Sequence, residues 1–284
     1  MATIAEKAEL FRSLHHREEP LVLPNAWDVA SARLFEEAGF PAVATSSAGL
    51  MVSRGYPDGE GMPRRELLEV VGRIQRALSV PLSADLVSGY GPGTRAVTSL
   101  VRQVLEAGAV GINLEDQDPA SHGLFPLPSQ VRKLRALRAL GTKMGIPLVI
   151  NARTDALRLA PGTTEERFRE ALRRCCAFRD AGADCVYPMG LTEAAAIEEF
   201  VRGVSFPVNV MVRPGLPSVP ELRRLGVKRI SFGPSASYAT LGLLRRAAEE
   251  IRTRGTFTTL TEGALNFEEL NRLAVPRPSS GTPG

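Results

Sequence analysis

The sequence predicts an α/β chain folded as a single-domain (β/α)8 TIM barrel, and three observations carry that prediction. Short apolar runs alternate with amphipathic helical runs from one end of the chain to the other, the pattern of a parallel sheet with helices packed outside it. The strands are entered in two alternating ways, which fits a closed ring better than an open sheet. No G-x-G-x-x-G follows the first strand, so the competing Rossmann-type sheet lacks its phosphate-binding turn.

Taken in order, the β-like runs cover residues 21–23, 42–44, 82–84, 111–114, 148–150, 185–187, 208–211 and 229–232. Amphipathic helices lie between most of them, among them 29–38, 94–107, 165–181 and 241–254. Even-numbered strands follow Ala38-Gly39, Ala107-Gly108, Ala181-Gly182 and Leu225-Gly226, where glycine closes the preceding helix in the left-handed conformation. The third, fifth and seventh follow Val80-Pro81, Ile146-Pro147 and Phe206-Pro207, since proline stops a helix and is tolerated at a strand's first residue. The longest connection, about residues 45–65, is rich in glycine and proline, as expected of a functional lid. Residues 1–264 are assigned to the barrel, and 265–284 to a C-terminal helix (FEELNRL, 267–273) and a flexible low-complexity tail from Val275.

With 284 residues and 44% hydrophobic content, the chain buries one large core. The net charge of +4 is mild, and only Lys7, Lys133, Lys143 and Lys228 among the 35 basic residues are lysines. The densest basic run, Arg132, Lys133, Arg135 and Arg138, has no interleaved aromatics. It reads as the solvated face of a helix, and no nucleic-acid partner is expected. Cys175, Cys176 and Cys185 lack metal-ligand spacing and are expected to be free thiols in a reducing compartment. No signal peptide and no membrane-spanning run is seen, so a cytoplasmic location is expected. His15 and His16 are given no role.

In a barrel of this kind the active site lies at the C-terminal ends of the strands. The chain stations polar residues there: Asn25 and Asp28, the Thr45-Ser46-Ser47-Ala48-Gly49 turn, Asp85, Asn113 and Glu115, Asn151 and Arg153, Asn209, and Ser231. Carboxylates on neighbouring strand ends, Asp85 beside Glu115, suit Mg2+, which takes oxygen ligands and needs only one or two from the protein. Arg153, one strand further on, suits an anionic substrate because a guanidinium grips a carboxylate bidentately. It otherwise needs a structural partner such as Asp155.

These residues lie in stretches that resemble the isocitrate lyase/phosphoenolpyruvate mutase superfamily: PNAWDVASARLFEEAGF, TSSAGL followed by GYPDG, AD followed by GYG, GINLEDQ, INARTD and PVNVMV. The likeness spans about residues 20–250 and is closest to its broad mutase- or lyase-like branch. It implies a small 2-oxo or 2-hydroxy carboxylate held on Mg2+, with Mn2+ as the alternative cation, reacting through an enolate-like intermediate. On that resemblance Asp85 and Glu115 hold the metal, and the backbone N–H groups of Ser46, Ser47 and Ala48 hold the substrate carboxylate. Arg153 also contacts the substrate, Asn209 stands beside it, and Asp58 belongs to a mobile loop over the site. A homodimer or homotetramer is also implied, with the C-terminal helix reaching a neighbouring subunit.

Two departures bear on the chemistry. The third strand reads Asp85-Leu86-Val87 where the family has a second acidic residue, so metal binding is expected to be weaker unless Asp116 or Asp118 compensates. The cysteine loop of isocitrate and methylisocitrate lyases is replaced by a segment containing His122. His122 is a candidate general acid because its ordinary pKa is near neutral, or else an exposed loop residue without a role. Met189 stands where the mutases place histidine, which argues against phosphonate chemistry. No lysine ends a strand, which excludes a Schiff-base aldolase.

The expected function is therefore a Mg2+-dependent carbon–carbon lyase or decarboxylase acting on a small 2-oxo or 2-hydroxy (di)carboxylate. Phosphoenolpyruvate mutase or phosphonopyruvate hydrolase chemistry at a P–C or P–O bond is the alternative. A non-catalytic carboxylate-binding barrel is the alternative from another class.

Overall fold

A computed structural model of the protein describes residues 2–91 and 93–274; the tail predicted from Val275 lies outside the described residues. Among the described residues nine strand segments form: β1 (Leu21–Leu23), β2 (Asn25–Ala26), β3 (Val43–Thr45), β4 (Leu82–Asp85), β5 (Gly111–Glu115), β6 (Val149–Thr154), β7 (Cys185–Pro188), β8 (Asn209–Met211) and β9 (Arg229–Ser231). They pair in parallel in the orders β2-β3-β4-β5-β6-β7 and β1-β9-β8. A parallel bridge between Val186 and Val208 links β7 to β8, and β1 passes into β2 across Pro24. The segments thus run in one circuit.

The first strand forms over Leu21–Leu23 as the sequence indicates, and a further segment, Asn25–Ala26, follows it. Pro24 has no N–H to give the ladder, so β1 pairs with β9 and β2 pairs with β3. The other strands fall where the apolar runs place them, with ends shifted by a residue or two, except that β6 continues to Thr154, four residues past its expected end.

Helices separate the strands, including Val29–Glu37, Thr94–Glu106, Leu127–Met144, Thr164–Asp180 and Ser235–Arg254. Their ends follow from local chemistry: Asp28 accepts from Ser31 N, Thr163 and Glu166 form a reciprocal capping box, and Gly145 and Gly255 close their helices in the left-handed region. The last long helix begins at Ser235, earlier than the periodicity indicated. Within the connection expected to be a loop, Ser47–Val52 forms a short helix because the Ser46 hydroxyl accepts from Gly49 N.

The barrel floor is closed from outside the strands. The helix Ile4–Ser13 brings Phe11 under the ring, and the following turn brings His15. Both are fully buried, with their rings edge to face at 5.1 Å. Gly111 leaves the space that the Phe11 ring occupies. Two sequence expectations are corrected here. His15 has a structural place, and Lys133 is 1% exposed rather than solvated, its ammonium donating to Ser88 O at 3.2 Å and lying over the Phe125 ring. Burial lowers its pKa.

Candidate functional site

A cavity of about 550 Å3 opens at the C-terminal ends of the strands, a size that suits a small ligand. Ser46, Ser47, Ala48, Asp58, Asp85, Glu115, His122 and Arg153 all line it. Asn209 does not: it is fully buried in the wall, donating through Nδ2 to Ser231 Oγ at 3.1 Å.

Asp85 ends β4 and is held from several sides. Its Oδ2 accepts from Ser47 N at 3.0 Å, and its Oδ1 from Asn113 Nδ2 at 3.0 Å and Val87 N at 3.4 Å. Its own N–H donates to Thr45 Oγ1 at 2.8 Å. An ionised carboxylate only accepts, so Asn113 must present its amide nitrogen to Asp85. Its oxygen is then free to accept from Asn151 Nδ2 at 2.8 Å. The orientation of Asp85 is therefore fixed by a chain of two amides running across β5 into β6.

Glu115 ends β5 and is 7% exposed. Burial raises its carboxyl pKa to about 8, with Arg153 opposing the rise and Asp155, Asp85 and Asp58 adding to it. Arg153 on β6 places NH1 2.9 Å from Glu115 Oε2. Its Nε and NH2 donate to the two oxygens of Asp155 at 2.8 and 3.0 Å. Burial opposes the charge on Arg153, yet Glu115 and Asp155 hold its proton firmly. The structural partner expected for this arginine, Asp155, is thus present, and Glu115 is a second one that the sequence reading did not foresee.

Asp58 and Glu60 come over the site on the connection after β3. Glu60 Oε1 accepts from Ser88 Oγ and Tyr90 N, each at 2.6 Å, which ties that connection to the end of β4. Burial, then the charge of Asp85, raises the pKa of Asp58, against hydrogen bonds from Ser47 and Gly59.

Two of the three backbone N–H groups expected to form a cradle have partners within the protein. Ser46 N donates to Ala26 O and Ser47 N to Asp85 Oδ2. Ala48 N is the one of the three without a partner among the described residues. Neither Asp116 nor Asp118 lines the cavity. Asp116 is buried and accepts from Thr154 Oγ1, Asp155 N and Arg174 NH1, while Asp118 turns to Ala120 N and Ser121 Oγ in an exposed loop. Val87 itself adopts φ 52°, an outlying conformation for a β-branched residue.

Sequence reasoning missed Glu60, Arg158, Tyr187 and Arg229, which all line the cavity. Glu60 lies two residues beyond Asp58, and Arg229 is a charge inside an otherwise apolar strand; both signals were legible. Tyr187 donates from its hydroxyl to Met189 Sδ at 2.8 Å. Arg158 supports Asp155 at 3.0 Å and Gln117 Oε1 at 2.9 Å. No lysine lines the cavity among the described residues.

The donor set fits a hard divalent cation. Asp58, Asp85 and Glu115 face one cavity, and their mutual repulsion contributes to the raised pKa values of Asp58 and Glu115. A cation relieves that repulsion. Among the described residues no three His, Cys, Asp or Glu side chains form a ligand cluster; a cation such as Mg2+, which needs only one or two protein carboxylates, is compatible with that.

The model of the family described as phosphoenolpyruvate phosphomutase matches residues 11–252. The 2-methylisocitrate lyase of Escherichia coli (strain K12) is 30% identical over 276 residues, covering 92% of this chain and 89% of that protein. The crystal structure of a lyase/mutase from Burkholderia cenocepacia J2315 superposes with a TM-score of 0.87 at 38% identity, covering 96% of this chain and 97% of that one. Oxaloacetate acetylhydrolase in complex with its product oxalate superposes with a TM-score of 0.83 at 25% identity, covering 95% and 94%.

Proposed function

This chain belongs to the phosphoenolpyruvate mutase/isocitrate lyase superfamily, and from that premise we propose a divalent-metal-dependent lyase acting on a small carboxylate. The substrate class is a 2-oxo or 2-hydroxy (di)carboxylate, cleaved at a carbon–carbon bond or decarboxylated through an enolate-like intermediate. The observation that carries the reading is Asp85. It is oriented by Ser47, Val87 and Asn113 toward the same cavity as the Glu115–Arg153 pair.

Asp85 and Glu115 would hold Mg2+ or Mn2+. When bound, the cation supplies positive charge beside the oxygen on which the enolate charge develops. Ala48 N–H has a free donor for a substrate carboxylate oxygen. Arg153 spends two N–H donors on Asp155 and pairs its charge with Glu115, which leaves further donors on NH1 and NH2 for the substrate. Asp58, its pKa raised, is suited to hold a proton above the site. The connection that carries it shields the cavity from water through the Glu60 contacts. His122 lines the cavity from the loop after β5 and is the second candidate to move a proton.

The test is turnover with Mg2+ on oxaloacetate, alkylmalates, methylisocitrate and phosphonopyruvate, followed as released keto acid or phosphate, or as phosphoenolpyruvate formed from phosphonopyruvate. Cleavage of the first three supports the lyase reading, and phosphonopyruvate alone supports the mutase branch. Met189, bonded to Tyr187, favours the former. Val87 in place of a carboxylate favours the remaining reading, a carboxylate-binding barrel without turnover.

A homo-oligomer is part of the same reading. Tyr238, Leu241, Leu244, Phe257 and Phe267 are 49–78% exposed along the last helices, an apolar surface suited to a second copy. The helix Phe267–Ala274 packs on Val29–Glu37 of its own barrel, burying Leu273 and pairing Arg272 with Glu37 at 3.5 Å, and keeps Phe267 exposed for a second copy; light scattering of full-length protein and of protein ending at residue 264 tests this. Three free cysteines, and no helix among the described residues long and apolar enough to cross a membrane, support a cytoplasmic setting.

A further inference from the structure

The floor of the cavity holds a charge that the fold does not require. Arg229 begins β9, lines the cavity and is 2% exposed. Among the described residues no carboxylate comes within ion-pairing distance of it. Its one side-chain hydrogen bond runs from NH1 to His15 Nε2 at 3.4 Å, and its Nε has no partner. His15 is held neutral: burial, then the neighbouring guanidinium, depresses its pKa to about 3. With Nδ1 donating to Phe11 O at 2.9 Å, its Nε2 can only accept, and it cancels none of the charge. The Phe11 ring, with its centroid 5.9 Å from the guanidinium carbon, supplies only its π face.

A buried cation without a carboxylate is costly, and an apolar side chain of similar volume fills such a position at equal or better stability. The same chamber contains further unspent groups: Ser83 Oγ and Asn151 Oδ1 are buried, line the cavity and lack partners. Asn151 cannot turn to satisfy itself, because its nitrogen is committed to the Asn113–Asp85 chain. By contrast, the other arginines lining the cavity, Arg153 and Arg158, are both paired with Asp155.

We propose that Arg229 serves the ligand rather than the fold, as an uncompensated cation at the barrel floor that draws a small dianion, such as a dicarboxylate, into the site. The inference rests on the metal–carboxylate reading above. It assigns to Arg229 a fixed positive field acting through the polar floor, where preorganised charge costs no rearrangement on binding.

Its signature is opposite signs. Removing a positive charge strengthens attraction of a cation and weakens attraction of an anion. In Arg229→Met, Mn2+ alone should bind about three- to tenfold tighter, and oxalate at saturating Mn2+ about tenfold weaker. The metal-free protein should melt no lower than wild type. Arg229→Lys, which keeps the charge, should move both affinities less. Should the Met variant fail to fold, Arg229→Gln makes the same test while keeping a donor for His15. If neither neutral variant folds, the charge is structural and the proposal is overturned. Affinities that stay unchanged, or move in the same direction, in a variant that melts lower overturn it as well. A wild-type protein that binds neither Mn2+ nor oxalate would remove the metal–carboxylate reading itself, and this inference with it.

Discussion

Arg153 NH1 lies 2.9 Å from Glu115 Oε2, while Nε and NH2 of the same guanidinium hold both oxygens of Asp155. One planar side chain thus fixes a candidate metal ligand and a fully buried aspartate together. A lysine has no geometry that replaces it. Arg153→Ala leaves both carboxylates buried without their main partner, so it should cost about 3–5 kcal/mol of stability and weaken anion binding at least about tenfold. Urea unfolding and oxalate calorimetry on the same samples check both effects.

The second expectation concerns pH. Burial holds the Glu115 proton up to about pH 8, and a cation must displace that proton. Mg2+ affinity should therefore fall as pH drops below about 8, and metal binding at neutral pH should release protons. The stability effect has the opposite sense. The folded, metal-free protein keeps this proton above the ordinary carboxyl value of 4.5, so Glu115 makes the fold less stable as pH rises from there to about 8. Glu115→Gln should flatten both profiles. Calorimetry in buffers of different ionisation heat measures the protons released, and thermal melts across pH measure the stability.

Val87 supplies a third expectation. Its φ of 52° strains a β-branched residue by about 1–3 kcal/mol, whereas asparagine and aspartate tolerate this region. Val87→Asn should raise the melting temperature, and Val87→Asp should in addition tighten Mg2+ binding by putting a carboxylate on the cavity wall. A Val87→Asp protein that melts higher yet binds Mg2+ no better would show that the missing carboxylate at this position does not limit the metal site.

Much of this was legible in the sequence because it depends on period and punctuation. Alternating apolar runs, with glycine or proline at the entries, located the strands, and most of the polar residues at their ends, though not Asp28 or Asn209, line one cavity. What escaped depends on contacts distant in sequence. Lys133 looked solvated because its own helix is basic, and only the packing of Ser88 and Phe125 over it explains its burial. His15 carried no local signal, since its place is set by Arg229, far along the chain. The backbone donors of Ser46 and Ser47 looked free because their acceptors, Ala26 O and Asp85 Oδ2, lie on other strands. The end of the first strand at Leu23, by contrast, is legible, because the missing N–H of Pro24 is a local property.

The central claim is that Asp85 makes this cavity a metal-dependent carboxylate site. Oxalate, a mimic of the pyruvate enolate, should be titrated by calorimetry into wild type and Asp85→Ala, each with and without millimolar Mg2+. Binding by wild type only when Mg2+ is present, and none by Asp85→Ala under either condition, is the expected result. Binding that is indifferent to Mg2+, or that survives in Asp85→Ala, would contradict the claim.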